Sequence, residues 1–340
     1  MKEKGINPLI LDAGDLFFST SSLNDKNKKS ELFRAESIIE GYNRIGCDII
    51  NVGHYEVLNG LNFLEKISKK SKAPFISANL RKYTNDDLIF PPYQIIKKDG
   101  LKIGVIGVTD NLPDTSNSMK ADNYIEAGNK YINKILKQVD LIIMLVNCER
   151  GKQESLVTDF PKADFIVTSG STNMTRANSP QEAKGPLVYS CGKQGKYLIS
   201  VELEIKDKNE PFVDISAQEK NLKQINKRFE RLQKKDPSKP LEEIYADQTN
   251  VLKLIDGYKK DLIESENLIG SAINTLKFKT FALNRKVEDN DKMLEFVNET
   301  ISTCNILNPK INSKKSKNIN KNKIEKSFKN NHSKHDGHNH

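Results

Sequence analysis

The chain has 340 residues, of which 36 % are hydrophobic and 29 % charged, with a formal net charge of +9. Between residues 310 and 340, nine Lys stand against Glu325 and Asp336, so this stretch holds +7 of that charge and leaves a near-neutral body without the clustered cations of a nucleic-acid-binding domain. The four cysteines show no C-x-x-C spacing and signal neither a disulfide framework nor a Cys-rich zinc site, and no apolar run reaches the 18 residues of a membrane span.

The first ten residues are basic but lack the apolar segment of a signal peptide. Leu9, Ile10 and Leu11 then form a short apolar run that predicts a strand buried on both faces. It closes on Gly14, which delivers Asp15 to a strand's carboxyl end, the edge where open α/β sheets bind ligands. After a polar loop, Leu32, Ala35, Ile38, Ile39 and Tyr42 recur at helical spacing and predict a helix over 31–45, stopped by Gly46. Residues 48–52 (DIINV) read as the next buried strand, ending in Gly53, His54, Tyr55 and Glu56.

A helix follows over 61–71 and a third strand over 73–80. Strand-like runs at 93–97 and 101–108 flank Asp99 and Gly100 and predict a hairpin. The pattern continues with a helix over 121–139, an apolar strand over 141–146 ending in Asn147, Cys148 and Glu149, and a strand over 164–168 that runs into SGSTNMT. Strands at 186–190 and 196–205 complete a second sheet. Alternating strands and helices followed by hairpins predict an α/β domain of two packed sheets over residues 1–206.

The character changes at Gln218. Leu222, Ile225, Phe229 and Leu232 are spaced three and four apart, and after Pro237 and Pro240 the same spacing recurs through Ile244, Gln248, Val251, Ile255, Tyr258 and Leu262. This predicts a heptad-like, coiled-coil-like helical hairpin within a 207–303 extension, with a last helix over 291–302. Residues 304–340, rich in Asn, Lys and Ser, have too little apolar surface to offset chain entropy and read as a disordered tail. The tail ends on His332, His335, His338 and His340, a spacing that suits loose binding of Zn²⁺ or Ni²⁺.

The segments ILDAGDLFF, NVGHYEVLNGLNFL, PFISANL, GLKIGVIGVT, DLIIMLVN and ADFIVTSGSTNMT together resemble the calcineurin-like metallophosphoesterases, in their bacterial 5'-nucleotidase and UDP-sugar hydrolase branch. The resemblance covers residues 5–205 and implies the family's two-sheet sandwich flanked by helices. It also implies metal-dependent hydrolysis of phosphate esters of nucleotides or sugar nucleotides, in which two metal ions activate a bridging hydroxide.

Against the family pattern, Asp15 matches the metal-bridging aspartate of a G-D motif, and Gly53 and Glu56 match the ends of a G-N-H-[DE] block. His54 stands at the Asn ligand position and Tyr55 at the catalytic His position. Asn147 occupies the place of a lone His ligand and Ser169 to Asn173 that of a G-H-x-H block, while the D-x-H strand of the family would lie N-terminal to Met1. The resemblance therefore implies Asp15, His54, Asn147 and Asn173 as remnants of a metal site, with Glu56 in support. Those donors suit one divalent ion (Mg²⁺, Mn²⁺ or Zn²⁺) rather than a full pair. Alternatives stay open for each: Asp15 as a turn-forming residue, His54 as a locally bonded one, SGSTN as a plain loop or a phosphate-accepting nest.

Two functions follow as expectations. One is a family phosphoesterase with impaired catalysis. The other is a pseudoenzyme that binds a phosphorylated small molecule in the old cleft or a protein partner through the helical hairpin. No specific nucleic acid is expected. Family relatives are commonly exported.

Overall fold

The apolar runs and amphipathic stretches form thirteen strands and eight α-helices in the computed structural model, which describes residues 6–110, 112–113, 118–176, 181, 185–192 and 194–308. In chain order these are β1 (Leu11–Asp12), α1 (Lys28–Ile45), β2 (Ile49–Asn51), α2 (Gly60–Ser68), β3 (Phe75–Ile76), β4 (Leu80–Lys82), β5 (Tyr93–Lys98), β6 (Leu101–Thr109) and β7 (Met119–Ala121). Next come α3 (Tyr124–Ile135), β8 (Leu141–Asn147), α4 (Leu156–Asp159), β9 (Phe165–Ser169), β10 (Leu187–Tyr189), β11 (Tyr197–Glu204) and β12 (Phe212–Asp214). The chain closes with α5 (Ser216–Gln233), α6 (Leu241–Ile244), α7 (Thr249–Ser271), β13 (Asn274–Ala282) and α8 (Asp291–Leu307).

Strands β1, β2 and β3 pair in parallel in one sheet. A second sheet has the order β10-β9-β8-β6-β5, parallel except for the antiparallel β5–β6 hairpin that the Asp99-Gly100 turn predicted. The alternation of side chains along each strand builds the layers. Ile49 and Ile76 of the first sheet meet Val105, Leu145 and Phe165 of the second in a core between the sheets. Their neighbours Ile50 and Phe75 face the other way, onto Ala35 and Ile39 of α1 and Leu64 of α2. On the far side, Ile106, Met144 and Val146 pack beneath Ile132 and Ile135 of α3. The result is the α/β fold of two packed sheets flanked by helices.

Three differences from the sequence expectations have physical causes. The run 73–80 is not one strand, because the Asn79 side chain pulls the chain aside: its Nδ2 donates to Thr109 O (2.6 Å) and Asp122 O (3.0 Å), and its Oδ1 accepts from Thr109 N (3.1 Å). Leu80 onwards therefore forms β4, paired with β7. Likewise, Ile244 and Gln248 precede α7, so the spacing that joined them to it spans a turn rather than a helix.

The third difference concerns the expected division at Lys206. It falls inside a third sheet, ordered β11-β13-β12, in which β13 runs antiparallel to β11 and parallel to β12. Leu276 and Phe278 of β13 join the core between the sheets.

The helical hairpin forms, with α5 folded back on α7. Asn221 lies opposite Ser265 (3.5 Å), the Phe229 and Tyr258 rings meet edge to face at 6.1 Å, and Tyr245 OH donates to Leu232 O (3.0 Å). Helix α8 returns to α1: Ser30 Oγ donates to Cys304 O (3.1 Å), and the Arg44 guanidinium stacks 3.9 Å over the Phe296 ring. It continues through Leu307, past the start of the expected tail. Residues 309–340, with His332, His335, His338 and His340, lie outside the described residues. Among the described residues no helix is long and apolar enough to cross a membrane.

Candidate ligand site at the strand ends

The carboxyl ends of β1, β2, β6, β8 and β9 converge, and the turns that leave them carry the polar groups. The turn after β1 is tight, with Gly14 at φ +99° and Asp15 at φ +64°. A side chain at Gly14 would press on the Gly53 backbone within 2.8 Å, so glycine is what lets the β1 and β2 turns lie against each other. Asp12 holds this turn from below: its Oδ1 accepts from Gly14 N (2.8 Å) and its Oδ2 from Tyr42 OH (2.6 Å). Burial raises the Asp12 carboxyl above the ordinary range, against the pull of the Tyr42 hydrogen bond.

Glu56 ties the two turns together. Its fully buried carboxylate accepts four backbone hydrogen bonds, from Asp15 N (2.9 Å) and Gly53 N (2.7 Å) at Oε2 and from Leu16 N (2.6 Å) and Phe17 N (3.0 Å) at Oε1. Burial and then the charge of Asp15 push the carboxyl up to about 7. Asp15 is half-buried, and its Oδ1 accepts from Tyr55 N (3.1 Å). His54 and Tyr55 are half-buried with their rings edge to face at 5.6 Å.

Asn147, 2 % exposed, is the second knot. Its Oδ1 accepts from His54 N (3.0 Å), and its Nδ2 donates to Ser169 Oγ (2.8 Å), which donates onward to Ala13 O (2.8 Å). One amide thus links the ends of β1, β2, β8 and β9. Below it, Asn51 Nδ2 bridges Ala13 O (3.0 Å) and Val108 O (3.1 Å), while Thr109 Oγ1 donates to Val52 O. Asn173 stands apart on the surface, where its Nδ2 donates to Gln153 Oε1 (3.3 Å) and its carbonyl accepts from Ser190 Oγ (2.7 Å).

Of the residues expected from the sequence, the structure gathers Asp15, His54, Tyr55, Glu56 and Asn147 in one cluster and leaves Asn173 at its margin. The sequence expectations named Ser169 only as part of the SGSTN string and did not include Asp12, Asn51 and Asp110 among the site residues. Asp110 follows β6 directly, with its side chain 4 % exposed; it pairs with Lys152 (3.1 Å) and accepts from Glu149 N (3.1 Å). Its place after a buried strand was the available signal. Among the described residues no group of three or more His, Cys, Asp and Glu is arranged to hold a metal ion. Half-buried His54 and Tyr55 stand beside the Asp15 carboxylate, with the Tyr55 side chain packed partly against the core that holds Phe17, Val52 and Val57.

No family model matches the chain. A stretch of 96 residues is 36 % identical to Protein UshA of Salmonella pullorum, covering 28 % of this chain and 18 % of that protein. Another of 168 residues is 32 % identical to the 5'-nucleotidase of Vibrio parahaemolyticus, covering 49 % of this chain and 26 % of that protein. The matched stretches therefore span only a minor part of these relatives. Among solved structures, the calcineurin-like phosphoesterase YfkN from Bacillus subtilis superposes with a TM-score of 0.57 at 18 % identity, over 89 % of this chain and 86 % of that one. The sulfate thiohydrolase SoxB from Thermus thermophilus superposes with a TM-score of 0.51 at 19 % identity, over 60 % of this chain and 37 % of that one.

Proposed function

We propose that this chain, which has the calcineurin-like phosphoesterase fold and is similar in sequence to the 5'-nucleotidase branch of the metallophosphoesterases, binds a phosphorylated small molecule at its strand ends with little or no hydrolysis. The observation that carries the reading is the use made of the donor atoms. The Asn147 amide oxygen is spent on His54 N–H, and both Glu56 oxygens are spent on backbone N–H groups. Each Glu56 oxygen closes two such bonds and has no lone pair left for an ion, and the Asn147 oxygen, with one lone pair used, is held toward His54 N–H.

The residues present do not fit a pair of metal ions. Asp15 and His54 leave at most a weak site for a single divalent ion, and four further ligands of an octahedral shell would have to come from water or the bound molecule. Tyr55 stands where the family resemblance implies the catalytic His, and a phenol is a weaker general acid than an imidazolium. What the cluster retains is recognition: an imidazole and a phenol that hydrogen-bond phosphate oxygens at a rim held rigid by Glu56 and Asn147.

The test is turnover. With Mn²⁺ or Mg²⁺ supplied, the full chain is expected to hydrolyse AMP or UDP-glucose at a rate at least about 10³-fold below typical enzyme turnover, and that residual rate is expected to be the same in Asp15→Asn. Robust hydrolysis that disappears in Asp15→Asn would overturn the proposal.

A further inference from the structure

Helix α5 carries two faces, and the second of them is unused by the fold. Leu222, Ile225, Phe229 and Leu232 lie on one side, and this side packs against α7 through the Phe229–Tyr258 contact. At 100° per residue, Lys220, Lys223, Lys227, Arg231 and Lys234 fall within an arc of about 80° centred directly opposite. All five are exposed, and Lys234, at the helix C-cap, keeps helical geometry. Lys223, Lys227, Arg231 and Lys234 make no ion pair among the described residues. Glu230 borders the row without pairing to any of these four. The row runs straight for about 21 Å along the helix.

Five like charges held in line repel one another, and the fold gains nothing from placing them so. We infer that this row is a docking face for an anionic lipid surface. Three features select that partner. The row lies along one exposed face of a single helix for about 21 Å, which suits a flat array of charges rather than a strand in a groove. No aromatic side chain lies on its arc, since Phe229 is turned inward, so it lacks the stacking platform on which single-stranded nucleic acid is held. Four of the five cations are Lys, a point charge suited to a diffuse anionic surface, whereas a site for discrete carboxylates or phosphates favours the Arg fork. The surface is independent of the strand-end cluster, so the proposal stands or falls separately from the cleft's function.

Co-sedimentation of the full chain with vesicles tests it. The basic residues of 310–340 contribute equally in every variant, so the comparison isolates α5. Binding to phosphatidylserine-containing vesicles, but not to phosphatidylcholine alone, is expected at low salt and is expected to weaken as salt rises. Each cation at such a surface changes partitioning by about fivefold, so the combined variant K223Q/K227Q/R231Q/K234Q is expected to lose binding by more than tenfold. K223R/K227R/R231K/K234R, which keeps the charge, is expected to retain it. The four side chains are exposed, and an unchanged circular dichroism spectrum verifies that the glutamine variant folds. Vesicle binding that changes less than twofold in the glutamine variant would overturn the inference. So would a chain that ignores the vesicles but binds a single-stranded oligonucleotide through the same four residues.

Discussion

Glu56→Ala is expected to leave little or no folded protein. The substitution removes one side chain and strands four N–H groups, those of Phe17 and Gly53 buried and those of Asp15 and Leu16 half-buried. Each unsatisfied buried donor costs about 1–3 kcal/mol, and a domain of this kind is stable by about 5–15 kcal/mol in all. The sum, at most about 12 kcal/mol, is comparable with most of that margin. Glu56→Gln keeps the shape but turns an NH₂ group toward two of the four donors, so it is expected to fold with a loss of about 2–4 kcal/mol in denaturant titration.

The gap between wild type and Glu56→Gln should also depend on pH. Burial holds the Glu56 carboxyl at about 7 instead of 4.5, so between these values the folded chain keeps a proton that the unfolded chain has released. Stability from this group is therefore largest below pH 4.5, falls as pH rises toward 7 and is flat above it, and the gap narrows over that window. A gap that widens from pH 5 to 7 would show that the four N–H donors outweigh burial.

Asn147→Ala is expected to cost about 2–4 kcal/mol, nearly all of it felt at the strand ends rather than in the core. The variant leaves His54 N–H without its acceptor and frees Ser169 Oγ from its donor, so the β2 and β9 turns lose their tie to β8. Because Asn147 and Ser169 act in series, Ser169→Ala in the same background should add less than it costs alone, with a coupling of about 0.5–3 kcal/mol in a double-mutant cycle. Asn147→His supplies the residue type that the family resemblance places there. It is nevertheless expected to destabilise the chain and to yield no hydrolysis, since an imidazole cannot both accept from His54 N–H and donate to Ser169 in the geometry of the amide. Additive effects of Asn147→Ala and Ser169→Ala would mean that the two side chains stabilise the turns independently.

Much of this arrangement was legible in the sequence, for identifiable reasons. Runs such as DIINV and LIIMLV form the buried strands their apolar pattern predicts, whereas in LILD only Leu11 and Asp12 are strand and both are half-buried; a polar residue just after such a run sits at a strand end. That logic placed Asp15, His54, Tyr55, Glu56 and Asn147 together. It did not reveal their partners. Ser169 Oγ meets Ala13 O across 156 positions of chain, a contact set by how two sheets pack and not by any local pattern.

Strand β13 is a different case. Leu276 and Phe278 alternate with Lys277 and Lys279, a period-two signal present in the sequence. The signal is weak locally, because long helical spacings flank it on both sides in the sequence. The split of 73–80 into β3 and β4 turned on Asn79, whose amide had to be seen bonding Thr109 and Asp122 before a break was evident.

On the reading we propose, the strand-end oxygens are largely used in holding the turns together and do not assemble a pair of metal ions. Titration of the full chain with Mn²⁺, followed by electron paramagnetic resonance, addresses this without reference to any substrate. Only uncoupled Mn²⁺ signals are expected, with no exchange-coupled pair at any loading, in the wild-type chain and in Asp15→Asn alike. A coupled two-manganese signal in the wild-type chain that vanishes in Asp15→Asn would contradict that reading.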